Sequence, residues 1–119
     1  ALVLHGAVHL DCHSDPVQIP RDRAVSIGLI VNELVTNAAK HAFVGRATGY
    51  IEVAFLDEPD GWRLIVADNG VGLPKSEVQP KADGGLGQKL IEAFARQAGG
   101  TMRTTSDAKG TRVTLHLSK

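Results

Sequence analysis

Apolar and polar residues alternate along several stretches of the chain, and this period of two predicts β-strands. The predicted strands cover residues 2–10, 51–56, 62–67, 101–106 and 111–117. The second and third strands are joined by the turn-forming segment Asp57–Gly61, and the last two form a hairpin across Asp107–Gly110.

Two other stretches place apolar residues at helical spacing. The first begins near Asp22, the predicted N-cap, and extends to about Phe43. The second is opened by the glycines of Gly84–Gly87 and ended by Gly99 and Gly100. Helices on one face of a mixed, mostly antiparallel sheet of about five strands make a two-layer α+β sandwich. We therefore predict this fold class for the chain.

Four polar side chains share one face of the first helix. Glu33, Asn37, Lys40 and His41 recur at helical spacing in a segment that is otherwise rich in Leu, Val and Ala. Together they offer an oxygen ligand for a metal ion, a base, and donors for phosphate oxygens, which are the groups that a metal-bound polyphosphate requires. The alternative is a partly exposed polar flank in which Glu33 and Asn37 hydrogen-bond to each other.

The third strand ends at a carboxylate. Asp68 has the same parity as Leu64 and Val66, so its side chain is predicted to point toward the helix layer, where an ionised carboxylate needs a donor. Gly70 and Gly72 follow it. The segment fits either a plain Asn-Gly turn or a carboxylate that accepts a hydrogen bond from a ligand amino group, a bond worth about 1.5–3 kcal/mol.

A glycine-rich segment precedes the second helix. A helix N-terminus carries free N–H groups and partial positive charge, and glycine lets an anion approach the backbone, so Gly84–Gly87 suits phosphate. It fits neither the Walker motif nor the dinucleotide-binding fingerprint, because no Gly-Lys-Thr follows it and no strand precedes it. The alternative is a flexible helix entry. The polar stretch Pro74–Asp83 is predicted to be a loop, either a lid or a linker.

Composition narrows the class of protein. The 119 residues fit one domain, and 13 Lys plus Arg balance 13 Asp plus Glu, which argues against a nucleic-acid binder that relies on phosphate neutralisation. Zero net charge does not exclude a local basic patch, which Arg96, Arg103 and Arg112 could form. The single cysteine, Cys12, excludes an internal disulfide and favours a reducing compartment. No apolar run is long enough to span a bilayer, and from the start at Ala1 we expect a domain cut from a longer protein.

Histidines near the N-terminus raise the hypothesis of a zinc site. His5, His9, Cys12 and His13 are all residue types that bind zinc. Four residues along a strand span roughly 13 Å, whereas one zinc ion holds each ligand at about 2 Å. On a strand, His5 and His9 cannot share a metal ion. We therefore predict outward-facing histidines in this segment.

In combination, the motifs resemble a known family. A helix with Glu-x-x-x-Asn, a strand end with Asp-x-Gly-x-Gly, a polar lid, a helix start with Gly-x-Gly and a hairpin with Gly-Thr follow one another in this chain. From about Asp22 to Leu117 the chain resembles the catalytic ATP-binding domain of sensor histidine kinases. That domain belongs to the GHKL superfamily, which also includes gyrase, a heat-shock chaperone and MutL. The resemblance implies the Bergerat-type ATP-binding fold.

One segment resembles a subgroup of these kinases. Asn32–Phe43, with the sequence NELVTNAAKHAF, is most similar to kinases with the second type of dimerisation and phosphoacceptor domain (HisKA_2), close to the HWE kinases. The chain departs from the HWE signature Trp-x-Glu, because Leu64 stands two residues after Trp62. It also lacks the phenylalanine-containing lid box of the commonest histidine kinases, since no Phe lies between Leu73 and Leu86.

The resemblance implies a role for each motif residue. Asn37 would coordinate the Mg²⁺ that bridges the phosphates of ATP, and Glu33 would be the polarising or general-base catalytic residue. Asp68 would accept a hydrogen bond from the adenine amino group. The other residues that the resemblance assigns to ATP are Lys40, His41, Gly70, Gly72, Gly85, Leu86, Gly87 and Thr111.

The function implied by the resemblance is that of a protein-histidine kinase domain. It would transfer the γ-phosphoryl group of ATP to a histidine in a separate phosphoacceptor and dimerisation domain, with a response regulator downstream. None of the five histidines in the chain is predicted to be the acceptor, so this domain alone would phosphorylate little. We expect a cytoplasmic domain that contacts neither membrane nor nucleic acid. Two alternatives are a serine kinase and anti-sigma factor of the same fold, and a degenerate kinase-like scaffold.

Overall fold

The computed structural model describes residues 2–4, 7–39, 48–70, 86–97 and 99–118. In this part of the chain, six strands form one sheet and two helices cover one of its faces. The strands are β1 (Leu2–Leu4), β2 (Ala7–Ser14), β3 (Thr48–Glu58), β4 (Gly61–Asp68), β5 (Gly100–Asp107) and β6 (Gly110–Ser118). The helices are α1 (Arg21–Asn37) and α2 (Leu86–Gln97).

The strands are ordered β1-β2-β3-β4-β6-β5 across the sheet. Only β2 and β3 pair in parallel among the described strands, and the other four neighbouring pairs are antiparallel. This is the mixed, mostly antiparallel sheet that the alternation of residues predicts. The α+β fold class is confirmed.

The segment 2–10, which we predicted to be one strand, contributes to two strands in the structure. β1 and β2 form an antiparallel hairpin in which Leu2 lies opposite Leu10 and Leu4 lies opposite Val8. In this register each residue faces a partner of the same parity, so the apolar alternation continues unbroken through the reversal. A pattern of period two therefore could not reveal the turn.

The core lies between the helices and one face of the sheet. Val113, Leu115 and Leu117 point inward as predicted, and their side chains are only 8%, 0% and 3% exposed. Burying one such side chain contributes about 1.5–3 kcal/mol to stability. The other residues of the main core are Val8, Ile27, Ile30, Ile51, Val53, Phe55, Trp62, Leu64, Val66, Ile91 and Ala95.

Helix α1 begins before the predicted N-cap. Pro20 occupies the N-cap position, and its carbonyl accepts a hydrogen bond of 2.9 Å from the N–H of Ala24. The prediction of Asp22 as the N-cap is wrong. Asp22 lies in the first turn, where its negative charge interacts favourably with the helix dipole. The α-helix ends at Asn37 and continues as a π-type turn through Ala38 and Ala39, while residues 40–47 lie outside the described residues.

Helix α2 has the predicted position. It ends at Gln97, and Gly99 follows with a φ of 75°. Glycine adopts this left-handed conformation without a steric penalty, which makes it the usual residue after a helix C-terminus. The N–H of Gly99 donates to the carbonyl of Arg96 at 3.1 Å. None of the helices in the described ranges is both long and apolar enough to cross a bilayer.

Candidate functional site

Contacts of its first turn determine the direction of α1. The guanidinium of Arg23 lies 5.0 Å above the ring of Trp62 and donates a hydrogen bond to the carbonyl of Ser118. Trp62 is near the start of β4 and Ser118 ends β6, so α1 starts at this end of the sheet. We call it the Trp62 end. The opposite end, where β4 finishes and β6 begins, is the Asp68 end.

The length of α1 carries its C-terminus toward the Asp68 end. Its 17 residues make a helix roughly 25 Å long. The eight residues of β4 span a similar distance of roughly 26 Å. Since α1 starts beside Trp62 and packs on β4 and α2, its length directs Asn37 toward the end of the sheet where Asp68 lies.

Helix α2 runs in the opposite direction. Gly99, just after its C-terminus, accepts hydrogen bonds from the N–H of Ser118 at 3.2 Å and from the Ser118 hydroxyl at 3.1 Å. The C-terminus of α2 therefore lies at the Trp62 end, and the backbone of Leu86 and Gly87 points toward the Asp68 end. The end of α1, the start of α2, the end of β4 and the start of β6 thus all lie toward the same end of the sheet.

The carboxylate of Asp68 is held by backbone donors. Its Oδ1 accepts a hydrogen bond of 2.9 Å from the N–H of Gly70 and a longer one of 3.4 Å from the N–H of Thr111. These groups supply the donors that the sequence requires for a half-buried carboxylate. Because an ionised carboxylate can accept more than two hydrogen bonds, Asp68 remains suited to receive a donor from a ligand.

Two hydroxyl groups lie beside Asp68. The hydroxyls of Ser106 and Thr111 are 2.9 Å apart in a hydrogen bond, and the Ser106 hydroxyl also donates to the carbonyl of Gly110 at 3.4 Å. Ser106 faces Thr111 directly across the β5–β6 hairpin. Ser106 is absent from the predicted site. Its position opposite Thr111 in the predicted hairpin is the signal that could have found it.

Gly110 allows β6 to approach Asp68. It has a φ of 141°, and a Cβ added there would lie 2.0 Å from the carbonyl oxygen of Asp68. Any side chain would push the two backbones apart, so glycine is required at this position. The close approach brings the N–H of Thr111 to the carboxylate.

Glu33 and Asn37 lie one turn apart near the end of α1. Both side chains are half-buried, and neither has a hydrogen-bond partner within the part of the chain that the structure describes. The structure therefore does not contain the Glu33–Asn37 hydrogen bond of the alternative interpretation. The π-type turn follows directly after Asn37, and such turns are frequent at functional sites.

Several predicted site residues lie outside the described residues. They are Lys40, His41, Gly72 and Gly85, together with the predicted lid at 74–83. Gly70 is buried and bonds to Asp68, while Leu86 and Gly87 form the start of α2.

The oxygen donors on α1 suit a hard cation such as Mg²⁺. The carboxamide of Asn37 and the carboxylate of Glu33 are ligand types that Mg²⁺ prefers. Within the described ranges, no three His, Cys, Asp or Glu side chains are close enough to form a metal cage. Mg²⁺ is commonly held by one or two protein ligands plus substrate phosphates, and the α1 residues fit that arrangement.

The N-terminal histidines belong to the hairpin at the sheet edge. His9 and His13 are both exposed on β2, and His9 lies opposite Val3 of β1. His5 lies outside the described residues. Exposed positions for His9 and His13 agree with the prediction that these side chains face outward.

A cavity of about 320 Å³ opens at the Trp62 end. Its lining is formed by Glu58, Asp60, Gly61, Trp62, Gly99, Gly100, Thr101, His116, Leu117 and Ser118. The predicted site residues do not contribute to this lining. The candidate site and the cavity are therefore at opposite ends of β4 and β6.

Comparison with known proteins identifies the family of the chain. Residues 22–119 match the family described as histidine kinase-, DNA gyrase B- and HSP90-like ATPases. The chain belongs to this family. The family description is that of an ATPase, so ATP is the nucleotide that membership implies.

Histidine kinases are among the similar proteins. The blue-light-activated histidine kinase 2 of Erythrobacter litoralis is 31% identical over 113 residues, which are 94% of this chain and 32% of the relative. The histidine kinase domain of the E. litoralis kinase EL346 has a TM-score of 0.88 at 31% identity, covering 95% of this chain and 55% of that chain. The chain thus spans about a third of the first relative and about half of the second.

A serine kinase is also similar over a shorter stretch. The serine-protein kinase RsbW of Listeria monocytogenes is 35% identical over 79 residues, which are 56% of this chain and 50% of the relative. A serine kinase of the same fold is the first alternative that we derived from the sequence.

Proposed function

We propose that residues 1–119 form the catalytic domain of a sensor histidine kinase, which binds ATP with Mg²⁺ and transfers its γ-phosphoryl group to a histidine of a separate phosphoacceptor domain. The observation that carries this proposal is the anchored carboxylate of Asp68, at the end of the sheet where α1 ends and α2 begins. A fixed acceptor at this position suits the amino group of adenine. The similarity to a histidine kinase domain over 95% of the chain supports histidine as the phosphoacceptor.

The neighbouring elements suit the rest of the nucleotide. The N–H groups of the first turn of α2, which include those of Leu86 and Gly87, lack an acceptor within the helix and suit the phosphates. Asn37 would hold Mg²⁺, which when bound neutralises charge on the phosphates. Glu33, one turn earlier on α1, would polarise or accept a proton from the attacking group.

Further predicted residues complete the proposed site. Thr111 would lie near the base, and Gly70 would shape the turn beneath it. Lys40 and His41 would contact phosphate or ribose, while Gly72 and Gly85 would line the base and phosphate regions. Positioning and charge neutralisation of this kind account for most catalysis of phosphoryl transfer.

The proposal implies partners. The phosphoacceptor histidine would belong to a dimerisation and phosphoacceptor domain of the same protein, and a response regulator would receive the phosphoryl group from it. The similarity to histidine kinases supports the first partner. The single cysteine, Cys12, is exposed and free, which supports a reducing compartment such as the cytoplasm.

Calorimetric titration of the domain with ADP and with a non-hydrolysable ATP analogue, with and without Mg²⁺, tests the proposal. We expect saturable binding that strengthens in Mg²⁺. Asn37→Ala should remove the Mg²⁺ effect while the fold is retained. Asp68→Asn keeps the Oδ1 acceptor but replaces the other oxygen by a donor, so adenine affinity should fall roughly 10- to 100-fold.

The control variant is Asn32→Ala, which removes an exposed carboxamide from the same helix. It should bind nucleotide like the parent chain in either condition. If Asp68→Asn still preferred ADP over GDP as strongly as the parent, Asp68 would not be the base acceptor. Absence of binding by the parent chain would favour the degenerate scaffold.

A serine kinase is the second candidate function, because RsbW is 35% identical over 79 residues. The two candidates differ in the bond that the transferred phosphoryl group forms. Phosphohistidine is a phosphoramidate and is hydrolysed in acid, whereas phosphoserine is an ester and survives. Incubating the full-length protein with labelled ATP and then with acid should remove the label if the acceptor is histidine. Retained label would favour the serine kinase.

A further inference from the structure

The β3–β4 ladder continues for one pair beyond Ile51 and Asp68, which are its last regular partners. The N–H of Asn69 donates to the carbonyl of Tyr50 at 3.2 Å, and the N–H of Tyr50 donates to Oδ1 of Asn69 at 2.8 Å. In a regular antiparallel pair, both acceptors are backbone carbonyls. Here the side-chain carboxamide of Asn69 takes the place of its own carbonyl.

This replacement lets the chain leave the sheet immediately after Asp68. The N–H of Gly70 turns back and donates to Oδ1 of Asp68 at 2.9 Å, which is the bond of an Asx turn. If Asn69 paired through its own carbonyl, the backbone would remain extended and direct Gly70 along β3. The carboxamide therefore keeps the strand end attached while the backbone turns toward the carboxylate.

Asp68 is consequently held from both neighbouring strands. Thr111 bonds to it from β6, and Asn69 attaches its strand end to β3. From this geometry we infer that Asn69 is a positioning residue, which orients the Asp68 carboxylate toward the nucleotide base. The inference rests on the proposed function. Asn69 acts through Asp68 and has no role in the transfer step itself.

The same replacement occurs at the Trp62 end. The N–H of Asp15 donates to the carbonyl of Phe55, and the N–H of Asp57 donates to Oδ2 of Asp15, both at 2.9 Å. In the parallel β2–β3 ladder, the regular acceptor for Asp57 would be the backbone carbonyl of Asp15. Asp15→Ala thus removes the same kind of exposed bond as Asn69→Ala, but far from Asp68, and it is a matched control.

The test compares ADP with inosine diphosphate, which lacks the amino group of adenine. In Asn69→Ala, ADP affinity should fall roughly 3- to 10-fold, while inosine diphosphate affinity should change little. Asn69→Asp retains an acceptor oxygen for Tyr50 and should preserve the ratio of the two affinities. Because both ligands carry the same phosphates, this ratio is insensitive to the added charge.

Two results would overturn the inference. One is an equal loss of affinity for both nucleotides in Asn69→Ala, which would indicate a general structural role. The other is an altered ratio in Asn69→Asp as large as that in Asn69→Ala. Asp15→Ala should leave the ratio unchanged, and a change there equal to that in Asn69→Ala would also contradict the inference.

A second readout needs no nucleotide. Amide hydrogen exchange at Gly70 and Thr111 should be faster in Asn69→Ala than in the parent chain, Asn69→Asp or Asp15→Ala. If the parent chain bound neither nucleotide, the proposed function would fail, but the exchange rates would still report whether Asn69 holds Asp68. Unchanged exchange at Gly70 in Asn69→Ala would overturn the positioning role.

Discussion

The two ends of the sheet are closed by different chemistry. At the Trp62 end, an indole that is 5% exposed lies beneath Arg23, with its ring 6.5 Å from that of Phe55. At the Asp68 end, a carboxylate, a carboxamide and two hydroxyls bond to one another or to backbone groups. Apolar closure stabilises the fold, whereas a half-buried polar end costs stability unless its groups are bonded.

From this difference we expect the Trp62 end of the strands to contribute mainly to stability and the Asp68 end mainly to nucleotide recognition. β4 begins in the apolar cluster around Trp62 and finishes at the carboxylate of Asp68, within a strand of only eight residues. Substitutions at the Trp62 end should therefore lower stability and leave nucleotide recognition intact. Substitutions at the Asp68 end should change recognition more than stability. Three predictions test this division.

The largest effect on stability is expected for Trp62→Ala. Truncating a buried aromatic side chain costs about 3–5 kcal/mol, and this change also removes the contacts of Trp62 with Phe55 and Arg23. Urea unfolding followed by circular dichroism gives the free energy, since the chain has no second Trp to report by fluorescence. Nucleotide affinity of the folded fraction should equal that of the parent chain.

Val25→Ala is the control for this prediction. Val25 is apolar and lies on α1, but its side chain is 59% exposed, so its truncation should barely change stability. If Trp62→Ala lowered the nucleotide affinity of folded protein as strongly as Asp68→Asn does, the two ends would be coupled and the division of tasks would be wrong.

A matched pair of glycines gives a smaller effect at each end. A Cβ at Gly61 would lie 2.0 Å from the carbonyl oxygen of Leu117, and one at Gly110 would lie 2.0 Å from that of Asp68. Forced shifts of this kind cost about 1–3 kcal/mol, and the φ of 141° at Gly110 adds strain in Gly110→Ala. Both alanine variants should unfold at lower urea concentration, but only Gly110→Ala should weaken nucleotide binding.

Gly28→Ala controls for the added methyl group. Nothing lies within 4 Å of a Cβ at Gly28, on the exposed face of α1. Alanine should therefore stabilise the helix by about 0.5–1 kcal/mol. Equal loss of nucleotide affinity in Gly61→Ala and Gly110→Ala would show that the perturbation spreads through the whole sheet.

Local patterns predicted most of the fold. The parity of Val113, Leu115 and Leu117 identified their inward side, and the paired glycines at 99 and 100 marked the end of α2. The β1–β2 hairpin was not predicted, because its register pairs residues of the same parity and leaves the apolar alternation unbroken. The start of α1 was misplaced because Pro20 takes the N-cap position with no capping side chain, although Asp22 has the better side chain for that role.

The candidate site was predicted less completely. Parity predicted that Asp68 points toward the helix layer and needs a donor. Identifying Thr111 as a donor requires knowing that β4 pairs with β6, because Thr111 is 43 residues from Asp68 along the chain. Asn69 was not singled out, because its carboxamide acts by replacing a backbone carbonyl in a ladder that exists only after β3 and β4 have paired.

The smallest expected effect concerns the other face of the Asp68 end. The Tyr50 hydroxyl donates to Oδ2 of Asp11, and this hydrogen bond, with smaller contributions from burial and from the charges of Asp11 and Glu52, raises the pKa of Tyr50 to about 12. A pKa that is higher in the folded chain contributes stability that is present below the ordinary pKa of about 10. That contribution is lost as pH rises through the folded value.

Titration of tyrosinate absorbance reports Tyr50 alone, because the chain has a single tyrosine. Asp11→Ala removes both the hydrogen bond and the charge, so the pKa of Tyr50 should fall toward its ordinary value, and Asp11→Asn, which removes only the charge, should give an intermediate pKa. Ile51 faces the core, so its neighbour Tyr50 lies on the helix-free face. Neither variant should therefore change the ratio of affinities for ADP and inosine diphosphate. A changed ratio would mean that recognition at the Asp68 end extends through the sheet to the face that carries no helix.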